Sequence, residues 1–269
     1  MSTRDIALKT GRILARVDDG VGWLSINHPE RRNAISLDMW QGLADATAAF
    51  QADDTVRVVV MHGTGGKSFA AGADISEFET QRSNAQQKEA YGRIASAGSM
   101  GLALLAKPLV AMVQGWCVGG GLAIALTADV RIATPESKFG IPAAKLGLGY
   151  DYAGLAALAR LVGPSTARDM LFSARQLDAQ EALRVGLVNF VVDPAEIEAQ
   201  VRAYAASIAA NAPLTVAAAK AAMRVFERYS QHPESAAIDA MVNACFDSDD
   251  YREGRQAFLE KRSPRFEGR

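Results

Sequence analysis

The chain has 269 residues, of which 49% are hydrophobic and 22% are charged, and its net charge is −1. This composition is typical of a folded globular protein that can bury a substantial core. Because the sequence has no basic run or basic stripe with interleaved aromatics, we do not expect nucleic acid as a partner. The first residues lack an apolar signal core and no stretch is apolar enough to span a membrane, so we expect a cytoplasmic protein. The two cysteines, Cys117 and Cys245, lack metal-site or disulfide spacing, so we expect no bound metal.

The N-terminal third alternates strand-like and helix-like segments. Two short β-like runs, Ile13–Val17 and Val21–Ile26, flank Asp18–Gly20 and predict a hairpin. Ser36 is a suitable N-cap for a helix whose apolar residues share one face. The run Val56–Met61 then predicts a buried strand.

Small residues dominate the next segment, S-F-A-A-G-A-D-I at residues 68–75. Because small side chains leave backbone amides accessible, this segment is a candidate for contact with a ligand. Asp74 is placed to open a helix. A long helix is predicted over Asn84–Ala106, with Pro108 preventing its continuation.

The central stretch of the chain runs from Lys107 to Asp129. Its apolar run Leu109–Val113 predicts a strand buried on both faces, and Leu122–Thr127 predicts an Ala-rich helix. Between them lie three consecutive glycines, residues 119–121. Glycines at a strand-to-helix junction leave amides exposed where a helix N-terminus favours negative charge. A tight turn packed against a neighbouring element is the alternative interpretation.

The remainder of the chain becomes increasingly helical. A further strand is predicted over Ala128–Thr134, and helices are predicted to begin near Asp193 and to cover Ser248–Arg262. This order favours an α/β fold with a helical appendage. We therefore divide the chain into a core, residues 1–193, and a helical segment, residues 194–269.

Two segments together, S-F-A-A-G-A-D-I and Q-G-W-C-V-G-G-G-L, give the chain a resemblance to the crotonase superfamily, the enoyl-CoA hydratase/isomerase-like proteins. N-H-P-E-R-R-N-A-I-S at residues 27–36 and the tail E-G-R-Q-A-F-L-E-K-R-S-P-R-F also fit. The resemblance implies a crotonase-like spiral of ββα units with a C-terminal helical trimerisation segment, as a homotrimer or a hexamer. It also implies an acyl-CoA substrate, with coenzyme A arriving as part of that substrate and no permanently bound cofactor.

The resemblance further implies roles for individual residues. Ala73 and Gly120 match the two residues whose backbone N–H groups form an oxyanion hole. Phe258 and Lys261 match positions that often reach the coenzyme A of a neighbouring subunit. The remaining residues expected to contact the acyl-CoA are Arg31, Ala34, Ala71, Gly72, Asp74, Ile75, Trp116 and Gly119.

The sequence departs from the hydratase pattern at two positions. Hydratases of this family place glutamates where this chain has Ala123 and Ala143. Alanine can neither hold a water molecule by hydrogen bonds nor exchange a proton. Hydration by that pair of carboxylates is therefore not expected here.

Two neighbouring residues are candidates to replace the glutamates. Asp151 matches the aspartate that dienoyl-CoA isomerases use as a base, which favours an isomerase or a lyase. Tyr150 matches a tyrosine of methylmalonyl-CoA decarboxylases, which leaves a decarboxylase or a thioester hydrolase using Tyr150 and water as the alternative. For Asp151, a loop aspartate that is hydrogen-bonded to its own backbone is the alternative. A non-catalytic protein that binds CoA esters also remains open as a function.

Overall fold

The computed structural model describes residues 3–77, 84–150, 152–211, 213–229, 243–244, 246–262 and 264. The strands are β1 Arg4–Ile6, β2 Ile13–Asp18, β3 Val21–Ile26, β4 Val58–Gly63, β5 Ser68–Ala70, β6 Leu109–Val113, β7 Trp116–Val118, β8 Val130–Ala133, β9 Lys138–Gly140, β10 Leu177–Asp178 and β11 Phe190–Val191. The helices are α1 Leu37–Ala52, α2 Ala85–Leu104, α3 Gly120–Ala125, α4 Tyr152–Ser173, α5 Ala179–Arg184, α6 Ile197–Ala209, α7 Pro213–Tyr229 and α8 Asp249–Leu259. None of the helices in these ranges is long and apolar enough to cross a membrane.

The strands form two sheets. The larger sheet has the order β1-β2-β3-β4-β6-β8-β11, and the smaller sheet has the order β10-β9-β7-β5. From β3 to β11 the larger sheet is parallel, whereas β1, β2 and β3 pair antiparallel. Strands β5, β7 and β9 are parallel to one another. The chain is thus a mixed α/β fold.

The order of the strands reveals a repeated unit. Each of β4, β6 and β8 lies in the larger sheet, and the strand that follows it lies in the smaller sheet. A helical segment or 3-10 turn leads out of each pair, at Ile75–Glu77, at α3 and at Pro142–Leu146. Three successive ββα-like turns therefore stack side by side, as the resemblance implies. The stacking brings the ends of β5, β7 and β9 next to one another.

Buried side chains cover both faces of the larger sheet. The main cluster joins one face to α1, to the smaller sheet and to the short helix α3. On the other face, Ile197, Val201 and Ala205 of α6 pack against Val58, Val60 and Val110 of the central strands. Helix α6 therefore belongs to the packed core, although it follows residue 193. The functional division of the chain at that residue stays a prediction.

Most predicted elements are present, with shifted ends. The hairpin of β2 and β3 is confirmed, and both Asp19 and Gly20 have positive φ angles. Helix α2 begins after Asn84, whose side chain accepts a hydrogen bond from the Gln87 amide. The prediction of a helix beginning near Asp193 was wrong by about one turn, since α6 begins at Ile197. The Asp193 side chain instead accepts a hydrogen bond from the Ala195 amide in a turn.

Candidate active site

The first wall of the candidate site is the bend that follows β5. Backbone hydrogen bonds from Ala71 to Arg32, from Ile35 to Gly72 and from Asp74 to Ile35 hold residues 71–74 against residues 32–35. Gly72 has a φ angle of +100°, which L residues rarely adopt. In this alternating pattern the amide of Ala73 is left over. No acceptor in the described part of the chain takes its hydrogen bond.

The second wall is the bend between β7 and α3. Each of its three glycines meets a different structural requirement. Gly119 has a φ angle of +53° and donates its N–H to the carbonyl of Gly140. Gly121 packs so closely on the first bend that a methyl group there would lie 2.1 Å from the carbonyl oxygen of Ala70. Gly120 opens α3, and its amide has no acceptor among the residues that the structure describes.

The two bends are in contact. A methyl group at Gly120 would lie 3.5 Å from the amide nitrogen of Ala73, and one at Gly119 would lie 3.6 Å from the Cα of Gly72. Two uncommitted backbone donors, Ala73 and Gly120, therefore lie side by side. Such a pair suits an oxygen atom that gains negative charge during a reaction, because fixed donors need no reorganisation at that moment. The absence of a side chain at Gly120 leaves space for a ligand next to the two amides.

Most of the residues expected to bind the acyl-CoA lie along this first bend. Arg31 Nη1 is 3.5 Å from a carboxylate oxygen of Asp74 and 3.3 Å from Ser76 Oγ. Asp74 is buried and also accepts hydrogen bonds from the amide and hydroxyl of Ser76. Ala34 and Ala71 are half-buried on the facing segments, and the backbone of Ile75 begins a 3-10 turn. The structure thus brings these predicted residues to one edge of the site.

Trp116 and Cys117 precede the second bend. Trp116 lies in β7 between Ser68 and Lys138 and is partly exposed, with its carbonyl accepting a hydrogen bond from Ser68 Oγ. Cys117 is fully buried, and this burial raises the pKa of its thiol far above the usual range. A thiol that stays protonated is a poor nucleophile. Cys245 lies outside the described residues.

The loop after β9 carries the positions that differ from the hydratase pattern. Ala143 is buried within the 3-10 turn Pro142–Leu146, and its carbonyl accepts a hydrogen bond from the Leu148 amide. Ala123 is half-buried on α3. Tyr150 is half-buried and packs against the main core cluster. Asp151 lies outside the described residues, so its position relative to the two bends stays a prediction.

The C-terminal segment supplies a third wall that the sequence did not indicate. Phe246 and Tyr251 are buried with ring centroids 4.9 Å apart, and the pair packs against both Ala73 and Leu148. Gly147 and Gly254 allow α8 to approach, because a methyl group at Gly254 would lie 2.4 Å from the carbonyl oxygen of Leu146. The C-terminal segment therefore packs against the candidate site of its own chain, on the side of Ala73.

The two tail residues expected to reach coenzyme A lie further along the same segment. Phe258 is 52% exposed and Lys261 is also exposed. Exposed side chains such as these are available for contact with another subunit. Their contact with a neighbouring subunit's coenzyme A stays a prediction.

A separate cavity of about 180 Å³ lies between residues 29–33 and residues 64–68. Two cationic residues, Arg32 and Lys67, contribute to its lining. The other lining residues are Pro29, Asn33, Thr64, Gly65 and Ser68.

Within the described ranges, no three His, Cys, Asp or Glu side chains come together in a cluster that could hold a metal ion.

Comparison with known proteins agrees with this architecture. The sequence profile of the family "Enoyl-CoA hydratase/isomerase" matches residues 16–269. The short-chain-enoyl-CoA hydratase of Clostridium acetobutylicum is 33% identical over 255 residues, which is 95% of this chain and 97% of that protein. An enoyl-CoA hydratase/carnithine racemase structure from Magnetospirillum magneticum is 37% identical, with a TM-score of 0.80 and 97% of each chain covered.

A second similar structure is a methylmalonyl-CoA decarboxylase in complex with 2-nitronate-propionyl-CoA. It has a TM-score of 0.88 and 30% identity over 96% of this chain and 99% of that one. Relatives with different named reactions therefore share the whole length of this fold. The chain belongs to the enoyl-CoA hydratase/isomerase family and has the crotonase fold.

Proposed function

We propose that this chain is an acyl-CoA enzyme that stabilises a thioester enolate between the amides of Ala73 and Gly120, acting as an isomerase or a lyase. The observation that carries the proposal is the pair of adjacent backbone donors without a protein acceptor. Relatives that act on CoA thioesters support the substrate class. Removal of a proton from the α-carbon moves an electron pair onto the thioester oxygen, which then accepts both hydrogen bonds. Each such donor typically contributes about 3 to 4 kcal/mol to the transition state.

Proton transfer is assigned to Asp151. The positions occupied by glutamates in family hydratases are Ala123 and Ala143, which cannot donate or accept a proton. A single carboxylate can take the α-proton and return it to another carbon, which isomerises a double bond. In a lyase, loss of a leaving group from the β-carbon completes the reaction after the same first step.

Binding of the CoA portion is assigned to the edge formed by Arg31, Ala34 and the first bend. Cations at Arg32 and Lys67 in the adjoining cavity suit phosphate groups. Phe258 and Lys261 would complete the site from a neighbouring copy in a homotrimer or hexamer. Coenzyme A enters and leaves with the acyl group, so no resident cofactor is required.

The variant Asp151→Asn tests the assignment of the base. We expect turnover to fall by roughly 100- to 10,000-fold, because this is the usual contribution of general acid–base catalysis. The Kd for an unreactive acyl-CoA should stay unchanged. Asp54→Asn, at an exposed aspartate, is the matched control. Unchanged turnover in Asp151→Asn would remove this residue from the mechanism.

Decarboxylation or thioester hydrolysis using Tyr150 and water is the second candidate. Structural similarity to methylmalonyl-CoA decarboxylase favours it. A mass-spectrometric screen of malonyl-type, aryl and enoyl-CoA thioesters separates the two candidates. Release of CO₂ or free CoA that is lost in Tyr150→Phe and kept in Asp151→Asn would select the second. Tight binding without any product would identify a CoA-ester-binding protein that has no catalytic activity.

A further inference from the structure

The indole ring of Trp40 lies beside the two backbone donors of the candidate site. Trp40 belongs to α1 and is 6% exposed. A methyl group at Gly120 would lie 3.9 Å from the Cζ2 atom of this indole and 3.5 Å from the amide nitrogen of Ala73. The space that Gly120 leaves open is therefore bounded by a backbone donor on one side and by the edge of an aromatic ring on another.

Two contacts with α2 hold the indole in this position. Its Nε1 atom donates a hydrogen bond to the hydroxyl oxygen of Tyr91 over 3.1 Å, and both residues are buried. Gly98 packs so closely that a methyl group there would lie 2.5 Å from the Trp40 carbonyl oxygen and 3.1 Å from Cε3 of the ring. A ring that is hydrogen-bonded at one edge and closely packed at another cannot move aside without breaking these contacts. Trp40 is therefore a fixed boundary of the space beside Gly120.

The part of the substrate that meets this boundary is the carbon next to the thioester. In the proposed function the thioester oxygen accepts hydrogen bonds from Ala73 and Gly120, so the α-carbon, two bonds from that oxygen, lies in the same small space. Besides the proton that it loses, this carbon carries two further substituents. In a straight acyl chain one of them is hydrogen, whereas an α-branched acyl group has carbon at both. A closely packed site resists the additional methyl group.

We propose that Trp40 is a specificity-determining residue that excludes branching at the α-carbon, so that the substrate is a CoA thioester whose acyl chain is straight next to the thioester. This inference rests on the proposed function. The indole presents a ring carbon, Cζ2, toward Gly120, while its polar atom Nε1 is engaged by Tyr91. The boundary therefore selects by size and not by hydrogen bonding.

The test compares the binding of straight and branched thioesters to the full-length protein by isothermal titration calorimetry. Butyryl-CoA is paired with 2-methylpropanoyl-CoA, and pentanoyl-CoA is paired with 2-methylbutanoyl-CoA. Because the two members of a pair have equal carbon numbers, their apolar surfaces are similar and the difference in Kd reports shape. Free CoA is titrated alongside.

The variants change the indole, its hydrogen bond or a distant part of the same helix. Trp40→Leu and Trp40→Phe make the boundary smaller, and Tyr91→Phe removes only the hydrogen bond that holds the ring. Phe50→Leu is the matched control, because Phe50 is a buried aromatic residue at the other end of α1, where it packs against Gly22. This control weakens the core without changing the candidate site.

The unmodified protein should bind the straight thioester of each pair roughly 10- to 100-fold more tightly, because one extra methyl group overpacks a fixed space. Trp40→Leu should reduce this ratio to about threefold or less, chiefly by strengthening the binding of the branched thioester. Trp40→Phe and Tyr91→Phe should give intermediate ratios, and Phe50→Leu should keep the full ratio. If Trp40→Leu does not fold, Tyr91→Phe and the comparison within the unmodified protein still decide the question.

Three results would overturn the inference. Equal affinity within both pairs for the unmodified protein would show that branching is not excluded. A full ratio that persists in Trp40→Leu would assign the limit to another residue. A ratio lost equally in Phe50→Leu would assign it to general loosening of the core. Equal affinity within the pairs leaves the proposed function standing, whereas failure of free CoA and of every thioester to bind would refute the proposed function and this inference with it.

Discussion

The two glycine bends and the loop that follows Gly147 approach the same site, but they are built differently. The bends contribute main-chain donors, which are fixed by hydrogen bonds to residues 32–35 and by close backbone packing. The loop contributes Leu148, which packs with Ala73 against the buried aromatic pair of the third wall. It also carries the side-chain candidates Tyr150 and Asp151. The part of the site that would stabilise charge is therefore encoded in the backbone, whereas the part that would move a proton depends on replaceable side chains.

This contrast fits the different reactions named for the relatives. A hydratase and a decarboxylase match nearly the whole of this chain. A shared electrostatic site serves any reaction that places charge on the thioester oxygen. If the bends act as proposed, different side chains in the loop would change the reaction while the backbone donors stay the same.

The largest expected effect comes from breaking the contact between the two bends. Gly121→Ala would place a methyl group 2.1 Å from the carbonyl oxygen of Ala70, which neither rigid segment can avoid. We expect the free energy of unfolding to fall by about 3 kcal/mol or more, as strong overpacking does. Chemical denaturation would measure this change in the free energy of unfolding.

Gly92→Ala is the control for this substitution. Gly92 lies inside α2, and nothing lies within 4 Å of an added methyl group. This variant should gain up to about 1 kcal/mol, because alanine favours a helix over glycine. Equal stability of Gly121→Ala and the unmodified protein would refute the close packing of the bends.

A smaller effect is expected from removing the third wall. Tyr251 is fully buried, so Tyr251→Ala should cost about 3 kcal/mol of the packing that holds α8 over the site. Hydrogen exchange of the α8 amides should accelerate, while exchange in β6 stays slow. The control Phe258→Ala removes an exposed side chain and should change stability by less than about 0.5 kcal/mol. Unchanged α8 exchange in Tyr251→Ala would contradict the description of this wall.

The smallest effect concerns a group on the other face of the larger sheet. Burial lowers the pKa of His62. Its Nε2 atom forms a hydrogen bond with Ser25 Oγ, and the two atoms are 2.8 Å apart. Because the unfolded chain binds the proton more readily, stability should be complete above the ordinary histidine pKa and should fall as the pH drops below it. The loss should be roughly 1 kcal/mol or less per pH unit. His62→Gln should flatten this part of the stability curve, and an unaltered slope would assign the dependence elsewhere.

The sequence indicated the two bends more completely than the third wall and the short strands around them. Positive φ angles and close packing restrict positions such as Gly72, Gly119 and Gly121 to small residues, so the motif is visible in the chain itself. The short strands β7 and β9 carry too few residues to show a periodic pattern. They were therefore not predicted, and the ends of longer elements shifted by a few residues.

The third wall could not be predicted because it depends on a contact between distant parts of the chain. Tyr251 and Ala257 show only that one face of α8 is partly apolar, and nothing in their spacing identifies Ala73 as the partner. The resemblance directed attention to Phe258 and Lys261 instead.

In the proposed mechanism, Ala73 and Gly120 direct their amides at one thioester oxygen. The most direct measurement is a crystal structure of the protein with an unreactive acyl-CoA analogue that keeps the thioester carbonyl. We expect this oxygen to lie about 2.7 to 3.1 Å from both amide nitrogens. A bound analogue whose carbonyl oxygen meets only one of the two amides, or neither, would contradict it.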